Sequence, residues 1–183
     1  MPSGQTEQSD MTWLVFALVT VASWGVYGVL LHTGQTAMGD AANGRYKAFL
    51  FVGIAYFLTA VLAPLVALLL NGASWRMPMT GMGWSLAAGI VGALGAFCVL
   101  LAFGAKGTPA VVMSIVFAGA PIVNAVVAMW MHPPKGGWGA LPWPFLLGLV
   151  LAASGGYLVT RYRPLPAPPP PAHSAASAGP TSG

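Results

Sequence analysis

Long apolar runs, separated by short polar or Gly- and Pro-containing links, dominate the chain. A helix needs about 20 apolar residues to cross about 30 Å of hydrocarbon. Runs of this length predict five transmembrane helices, at residues 11–31, 45–70, 82–103, 108–131 and 143–162. The period-two alternation of barrel strands does not appear. Because backbone polar groups in lipid must be paired within the protein, these continuous runs predict an all-α bundle.

The composition excludes an ordinary water-soluble domain. Of 183 residues, 57% are hydrophobic and only 5% are charged, whereas about a quarter of the residues of a soluble domain are charged. The mean hydropathy is +0.76. We therefore predict an integral membrane protein whose first partner is the lipid bilayer. The net charge of +4 comes from few residues, so nucleic acid is not an expected partner.

The ends of the chain differ from the apolar runs. Residues 1–10 contain no Lys or Arg, and no cleavage site follows the first run, so we expect this run to be a retained helix rather than a signal peptide. We predict that the polar N-terminal tail, 1–10, and the Pro/Ala-rich C-terminal tail, 163–183, are disordered.

The Lys and Arg residues of the short links predict the orientation. With the N-terminus outside, five of these residues are cytoplasmic and two are outside. The cytoplasmic set is Arg45, Lys47, Lys106, Arg161 and Arg163, and the outer set is Arg76 and Lys135. The positive-inside rule therefore favours an outside N-terminus and a cytoplasmic C-terminus, and we expect the plasma (inner) membrane.

Small residues recur at four-residue spacing and predict close helix packing. Gly89 and Gly92 belong to two such rows on the third run, and Gly148 and Gly156 to a row on the fifth. Such rows support contacts within the bundle or at a dimer interface. The link 104–109 is so short that the third and fourth helices must be antiparallel neighbours, with Thr108 as the N-cap and Pro109 as the first helical residue.

Charged side chains are absent from the predicted helix centres. Carboxylate-driven proton coupling is therefore disfavoured, because an intramembrane Asp or Glu usually marks an ion or proton pathway. Neither a catalytic set nor a His/Cys cluster shares a common location. We accordingly predict no enzyme activity, no metal site and no cofactor.

The remaining polar and aromatic residues inside the runs are candidates for a binding site. Pro64 and Pro121 are predicted helix kinks, because a Pro frees a carbonyl one turn earlier. The side chains that we expect to contact a substrate are Trp24, Tyr27, Tyr56, Ser114 and Asn124. The alternative for each is structural, because the aromatic rings can pack in a core and the polar groups can bond neighbouring helices.

Three segments have a recognisable pattern: the hairpin GALGAFCVLLAFGAKGTPAVVMSIVFAGAPIVNAVVAM, SWG at Ser23 to Gly25, and FLLGLVLAASGGYLV. They resemble the five-helix repeat of the drug/metabolite transporter superfamily, also called the EamA-like domain, over most of 11–162. The hairpin is similar to the family's small-residue helix, tight turn and Pro-containing helix, SWG to its first helix, and the last segment to its closing helix. Two features depart from the family: His132-Pro133-Pro134 replaces the usual acidic residue, and the chain has one repeat instead of two.

The resemblance implies a central cavity lined by the first, third and fourth helices and completed by a second copy or a related membrane partner. We therefore expect a transporter-like membrane protein that moves or binds a small-molecule metabolite, uncharged or zwitterionic, as an oligomer. The alternative is a non-transporting structural or accessory subunit of a membrane complex.

Overall fold

The computed structural model describes residues 4–163, with side chains from residue 11 onwards, and within that range every regular secondary-structure element is a helix. Its elements are α1 (Gly4–Ala37), α2 (Gly44–Phe57), a π-helical turn (Leu58–Leu62), α3 (Ala63–Leu70), α4 (Met79–Gly104), α5 (Pro109–Met131), a 3₁₀ turn (Trp138–Ala140) and α6 (Trp143–Arg161). Of the predicted C-terminal tail, 163–183, only residue 163 lies within the described range.

The five predicted apolar runs correspond to helices that are long and apolar enough to cross a membrane. Their bounds are Met11–Ala37, Gly44–Leu70, Met79–Gly104, Pro109–Met131 and Trp143–Arg161. The first helix is longer than predicted at both ends, since it begins at Gly4 and continues to Ala37. Residues 4–10 thus continue α1, whereas the sequence predicted a disordered tail there. Polar residues can extend a helix beyond the hydrocarbon, where water satisfies its first backbone N–H groups.

The second span is interrupted ahead of Pro64. The π-helical turn Leu58–Leu62 separates α2 from α3, and Pro64 lies in the first turn of α3. A Pro cannot donate a hydrogen bond to the carbonyl four residues earlier, and a π turn is one way for a helix to absorb that loss. By contrast, α5 remains helical through Pro121, so the ring there removes only the bond to the Phe117 carbonyl.

A tight turn joins α4 to α5. The Gly107 N–H bonds the Ala102 carbonyl at 2.9 Å, which closes α4 in a Schellman-like geometry. Lys106 has a left-handed φ of 69°. Thr108 is the N-cap, as predicted, and Pro109 opens α5, but the Thr108 side chain makes no capping hydrogen bond. Its backbone carbonyl accepts the Val112 N–H at 2.9 Å.

The buried core occupies one half of the bundle. Leu31 of α1, Leu100 and Phe103 of α4, and Met113 of α5 form its centre, and Leu100 is completely buried. These residues lie near the C-termini of α1 and α4 and the N-terminus of α5. We call this half the basic end. It includes the loop 38–43, the turn 105–108 and residues 161–163, and it contains Arg45, Lys47, Lys106, Arg161 and Arg163.

Helix packing is looser in the other half. Large apolar side chains there are exposed, such as Val91 at 69% and Leu94 at 59%, as expected for surfaces that face lipid or another protein. The helix α6 packs on α5 alone. Among the described residues, α6 therefore has no contact with α1, α2 or α4.

Small residues make close contacts at some of the predicted positions and not at others. On α6, Gly156 is buried, and a Cβ there would meet the Ala118 Cβ of α5 at 2.5 Å. At Gly89, Gly92 and Gly148 a Cβ would meet nothing within 4 Å. The close approach between α1 and α5 is instead at Gly28, against the Met113 side chain. Of the four predicted packing glycines, only Gly156 therefore makes a close helix contact within the described part of the chain.

Candidate functional site

Two of the predicted aromatic residues lie together on α1. The rings of Trp24 and Tyr27 are 5.4 Å apart between centroids and tilted by 55°. The Tyr27 hydroxyl is buried and interacts with the phenol of Tyr56 on α2. Three of the five predicted contact residues, from two helices, therefore belong to one neighbourhood.

The two polar residues predicted on α5 do not join this group. The Ser114 hydroxyl donates to the Ala110 carbonyl of its own helix at 2.6 Å, and the Ser114 backbone carbonyl lies near Gly156 of α6. Asn124 is exposed, without a side-chain hydrogen bond to the described residues. The predicted set of five thus divides into an aromatic group and two separate positions.

An apolar cavity of about 560 Å³ lies between α1, α4 and α5 and is open on one side. Trp24 forms its α1 wall. The α4 wall consists of Gly92, Gly95, Ala96, Cys98, Val99 and Ala102, and the α5 wall of Val112, Ile115 and Val116. The small residues leave this space because they carry little or no side chain. Of this wall, the sequence predicted Trp24 as a site residue and Gly92 and Ala96 as packing residues. The spacing of Gly92, Gly95 and Cys98 along α4 was the available signal for two of the others.

Tyr27 lines a different, smaller cavity on the other side of α1. This cavity, of about 310 Å³, lies between α1 and α2 and is bordered by Leu31, Gly34, Ala48 and Val52 among others. Although the Trp24 and Tyr27 rings are in contact, each residue therefore lines a different apolar cavity.

A third cavity, of about 370 Å³, is polar and lies at the basic end. Its walls are Gln35, Thr36, Gly39, Asp40, Ala41, Arg45, Phe103 and Gly104. Sequence reasoning used Arg45 only for orientation and did not single out this pocket. Residues 35–45 are distant in the chain from Phe103 and Gly104; the His32–Phe103 ring contact and the packing of Gly104 against Arg45 bring the two segments together.

Asp40 organises the loop beside this pocket. Its carboxylate accepts the Lys47 ammonium at 2.7 Å and the backbone N–H groups of Ala42 and Asn43 at 3.1 and 2.9 Å. The hydrogen bond from Lys47, together with that from Asn43, lowers the pKa of Asp40 from its ordinary 3.8 to about 2. Asp40 therefore stays ionised and is fully engaged within its own loop.

Within residues 11–163, no group of three or more His, Cys, Asp or Glu side chains is placed to hold a metal ion. Comparisons of the chain with protein-family models, curated proteins and solved structures find no match. The resemblance to the EamA-like repeat therefore stays a prediction.

Proposed function

We propose that the chain is an integral membrane protein of the transporter type, which binds a small, uncharged, mainly apolar molecule in the cavity between α1, α4 and α5. The observation that carries the proposal is this cavity of about 560 Å³ with Trp24 in its wall. Its walls come from the first, third and fourth spans, the helices that the EamA-like resemblance implies around a central path. Ligand pockets in proteins are typically apolar and about 300–1,000 Å³ in volume.

The chemistry of the wall sets the class of ligand. Its described side chains carry no charge, and its exposed area is almost wholly apolar. A charged substrate would lose its hydration without gaining a partner there. The Trp24 ring offers one N–H donor and a large flat face. An uncharged molecule with an aromatic or alicyclic body fits this surface.

The open side of the cavity supports a complex of more than one chain. Gly92 belongs to the cavity wall and, with Gly89, leaves a face of α4 that no described residue covers. Small-residue faces in membranes permit close helix approach. We propose that a second copy packs on this face and completes the path.

The alternative function, an accessory subunit, is favoured by a different observation. The two polar residues predicted on α5 do not reach the cavity, and α6 leaves most of its surface uncovered. A subunit that docks into a larger membrane complex needs such faces and needs no path through its own helices.

The single cysteine of the chain provides the test, because Cys98 lies in the cavity wall and is exposed. A transport path must open to water, and methanethiosulfonate reagents with a fixed charge react only with a hydrated thiol. In membranes containing the full chain, we expect a charged reagent to modify Cys98. A lipid-facing or subunit-covered thiol would react with N-ethylmaleimide and not with the charged reagent.

Two tryptophan variants form a matched control. Trp24→Ala enlarges the cavity and should raise the rate of Cys98 modification several-fold. Trp84→Ala removes an equally large, exposed ring of α4 that is outside the cavity and should leave the rate unchanged. Absence of charged-reagent modification in all three proteins would contradict the transporter proposal and favour the accessory subunit.

A further inference from the structure

The polar pocket at the basic end contains a guanidinium group that lies over the Tyr46 ring, 5.1 Å from its centroid, but forms no salt bridge to any described residue. Arg45 lies at the start of α2, and its side chain crosses the C-terminal end of α4 so closely that a Cβ at Gly104 would be 2.6 Å from an Arg45 terminal nitrogen. The Arg45 Nε is buried and makes no hydrogen bond to any described residue. Buried charged donors are normally paired, so this side chain has unused binding capacity.

The acidic residue closest in sequence does not neutralise Arg45. Asp40 also lines the pocket, but its carboxylate is bonded to Lys47 and to two backbone N–H groups. The ion pair of Asp40 with Lys47 is the one salt bridge found in the described part of the chain. Among residues 11–163, no carboxylate therefore forms a salt bridge with Arg45.

The rest of the pocket adds polar groups around this cation. The buried Gln35 Oε1 has no donor among the described residues, and its amide can present its N–H₂ group to an anion. Thr36 supplies a hydroxyl that now donates to the His32 carbonyl at 2.8 Å. The cavity of about 370 Å³ has more polar than apolar wall and is open to the exterior, so it has room for a phosphate group.

We propose that this pocket binds a phosphate oxyanion through Arg45. A guanidinium matches phosphate oxygens with paired N–H donors, and such charge-assisted bonds are about twice as strong as neutral ones. The pocket lies where α1 and α4 end and α2 begins, the level at which a bilayer presents its headgroups. The same chemistry is offered by an anionic lipid headgroup and by free phosphate, and the experiment separates these sources.

The test uses the full chain in nanodiscs. In the lipid arm, native mass spectrometry follows the retention of phosphatidylglycerol after incorporation into discs that also contain phosphatidylcholine. In the free-anion arm, inorganic phosphate is titrated against protein in discs of an uncharged glycolipid, with the thermal midpoint as the readout. Retention of the lipid, or a phosphate-dependent rise in the midpoint, supports the proposal and identifies the source.

Variants assign the binding to Arg45. Arg45→Gln should weaken it at least about tenfold, the loss expected for one charge-assisted interaction. Arg76→Gln removes the same charge at the opposite end, where Arg76 is exposed, and should have no effect. Gln35→Glu keeps the Arg45 guanidinium but places a carboxylate in the pocket that competes with phosphate for it. This variant should also weaken binding, and an unchanged thermal midpoint without ligand would show that the loss is not due to misfolding.

Two results would overturn the proposal. The first is wild-type protein that neither retains phosphatidylglycerol above its share in the disc nor responds to phosphate. The second is binding that Arg45→Gln and Gln35→Glu leave unchanged, or that Arg76→Gln reduces equally, since the interaction would then reflect the general positive charge of the chain.

Discussion

Replacing Gly156 with alanine should separate α6 from α5. The new Cβ would lie 2.5 Å from the Ala118 Cβ and 3.7 Å from the Ser114 carbonyl oxygen. Two carbon atoms attract best at about 3.5–4.0 Å, so the helices must move apart by about 1 Å at this point. Because Ala118 belongs to a helix backbone and has no flexible end, the collision cannot be relieved by a rotamer change. Overpacking of this kind costs about 1–3 kcal/mol.

The adjacent Gly155 provides the control, because a Cβ there would meet nothing within 4 Å. Both substitutions gain the same helix propensity, about 1 kcal/mol in favour of Ala, so their difference isolates the collision. We expect Gly156→Ala to be less stable than Gly155→Ala by about 1–3 kcal/mol, measured by titration with dodecyl sulfate in bicelles and read by tryptophan fluorescence. Equal stability of the two variants would refute the assigned α5–α6 interface.

Two further predictions concern the loops of the basic end. Lys106 has a left-handed φ of 69°, so Lys106→Gly should stabilise the chain by about 1 kcal/mol in the same titration, and a lower stability would show that the turn is built differently. The pKa of Asp40 is about 2, below its ordinary 3.8, because of the Lys47 hydrogen bond. The stabilisation from the charged form is therefore present above about pH 4 and is lost as the pH falls towards 2. Between about pH 4 and pH 2, wild type should lose stability more steeply than Asp40→Asn, most clearly at low salt. Identical pH profiles of the two proteins would show that the Asp40 carboxylate does not contribute to stability.

Sequence patterns were sufficient for the number and approximate position of the spans, but not for both ends of the first helix, which extends from Gly4 to Ala37. Apolar run length determines whether a helix can cross a bilayer, and the described helices match all five predicted runs. The start of α5 at Pro109 was predictable because the Thr-Pro pair has strong local preferences. The position of the interruption before Pro64 was predictable, because a Pro removes a backbone hydrogen bond wherever it stands in a helix. The sequence did not predict that the interruption takes the form of a π-helical turn.

Helix partners were less predictable. In lipid, apolar faces carry little information about which neighbour they contact, so the glycine rows indicate an ability to pack and not the partner. Gly156 packs within the chain, whereas Gly92 does not. Gly28 and Gly104 make the closest approaches outside the predicted set, and these depend on the rotation of each helix about its axis, which the hydropathy pattern leaves undetermined.

For the candidate sites too, contacts within one helix were predictable and contacts between helices were not. Trp24 and Tyr27 are three residues apart on one helix, so their contact was predictable from helix geometry. Whether Asn124 faces the same space depends on the packing of α5, and it does not lie in the cavity wall. The Arg45 pocket requires α1, α2 and α4 to meet, which local patterns do not predict.

The most direct test of the central proposal is crosslinking at the uncovered face of α4. In a Cys98→Ala background, Gly92→Cys places a thiol on the face that a second copy is proposed to cover, and Leu94→Cys places one about 200° around the helix, on another exposed surface. With a short bifunctional thiol reagent in lipid, the account predicts a covalent dimer for Gly92→Cys and little for Leu94→Cys. Monomer in both variants, or equal dimer in both, would contradict a cavity completed by a second copy.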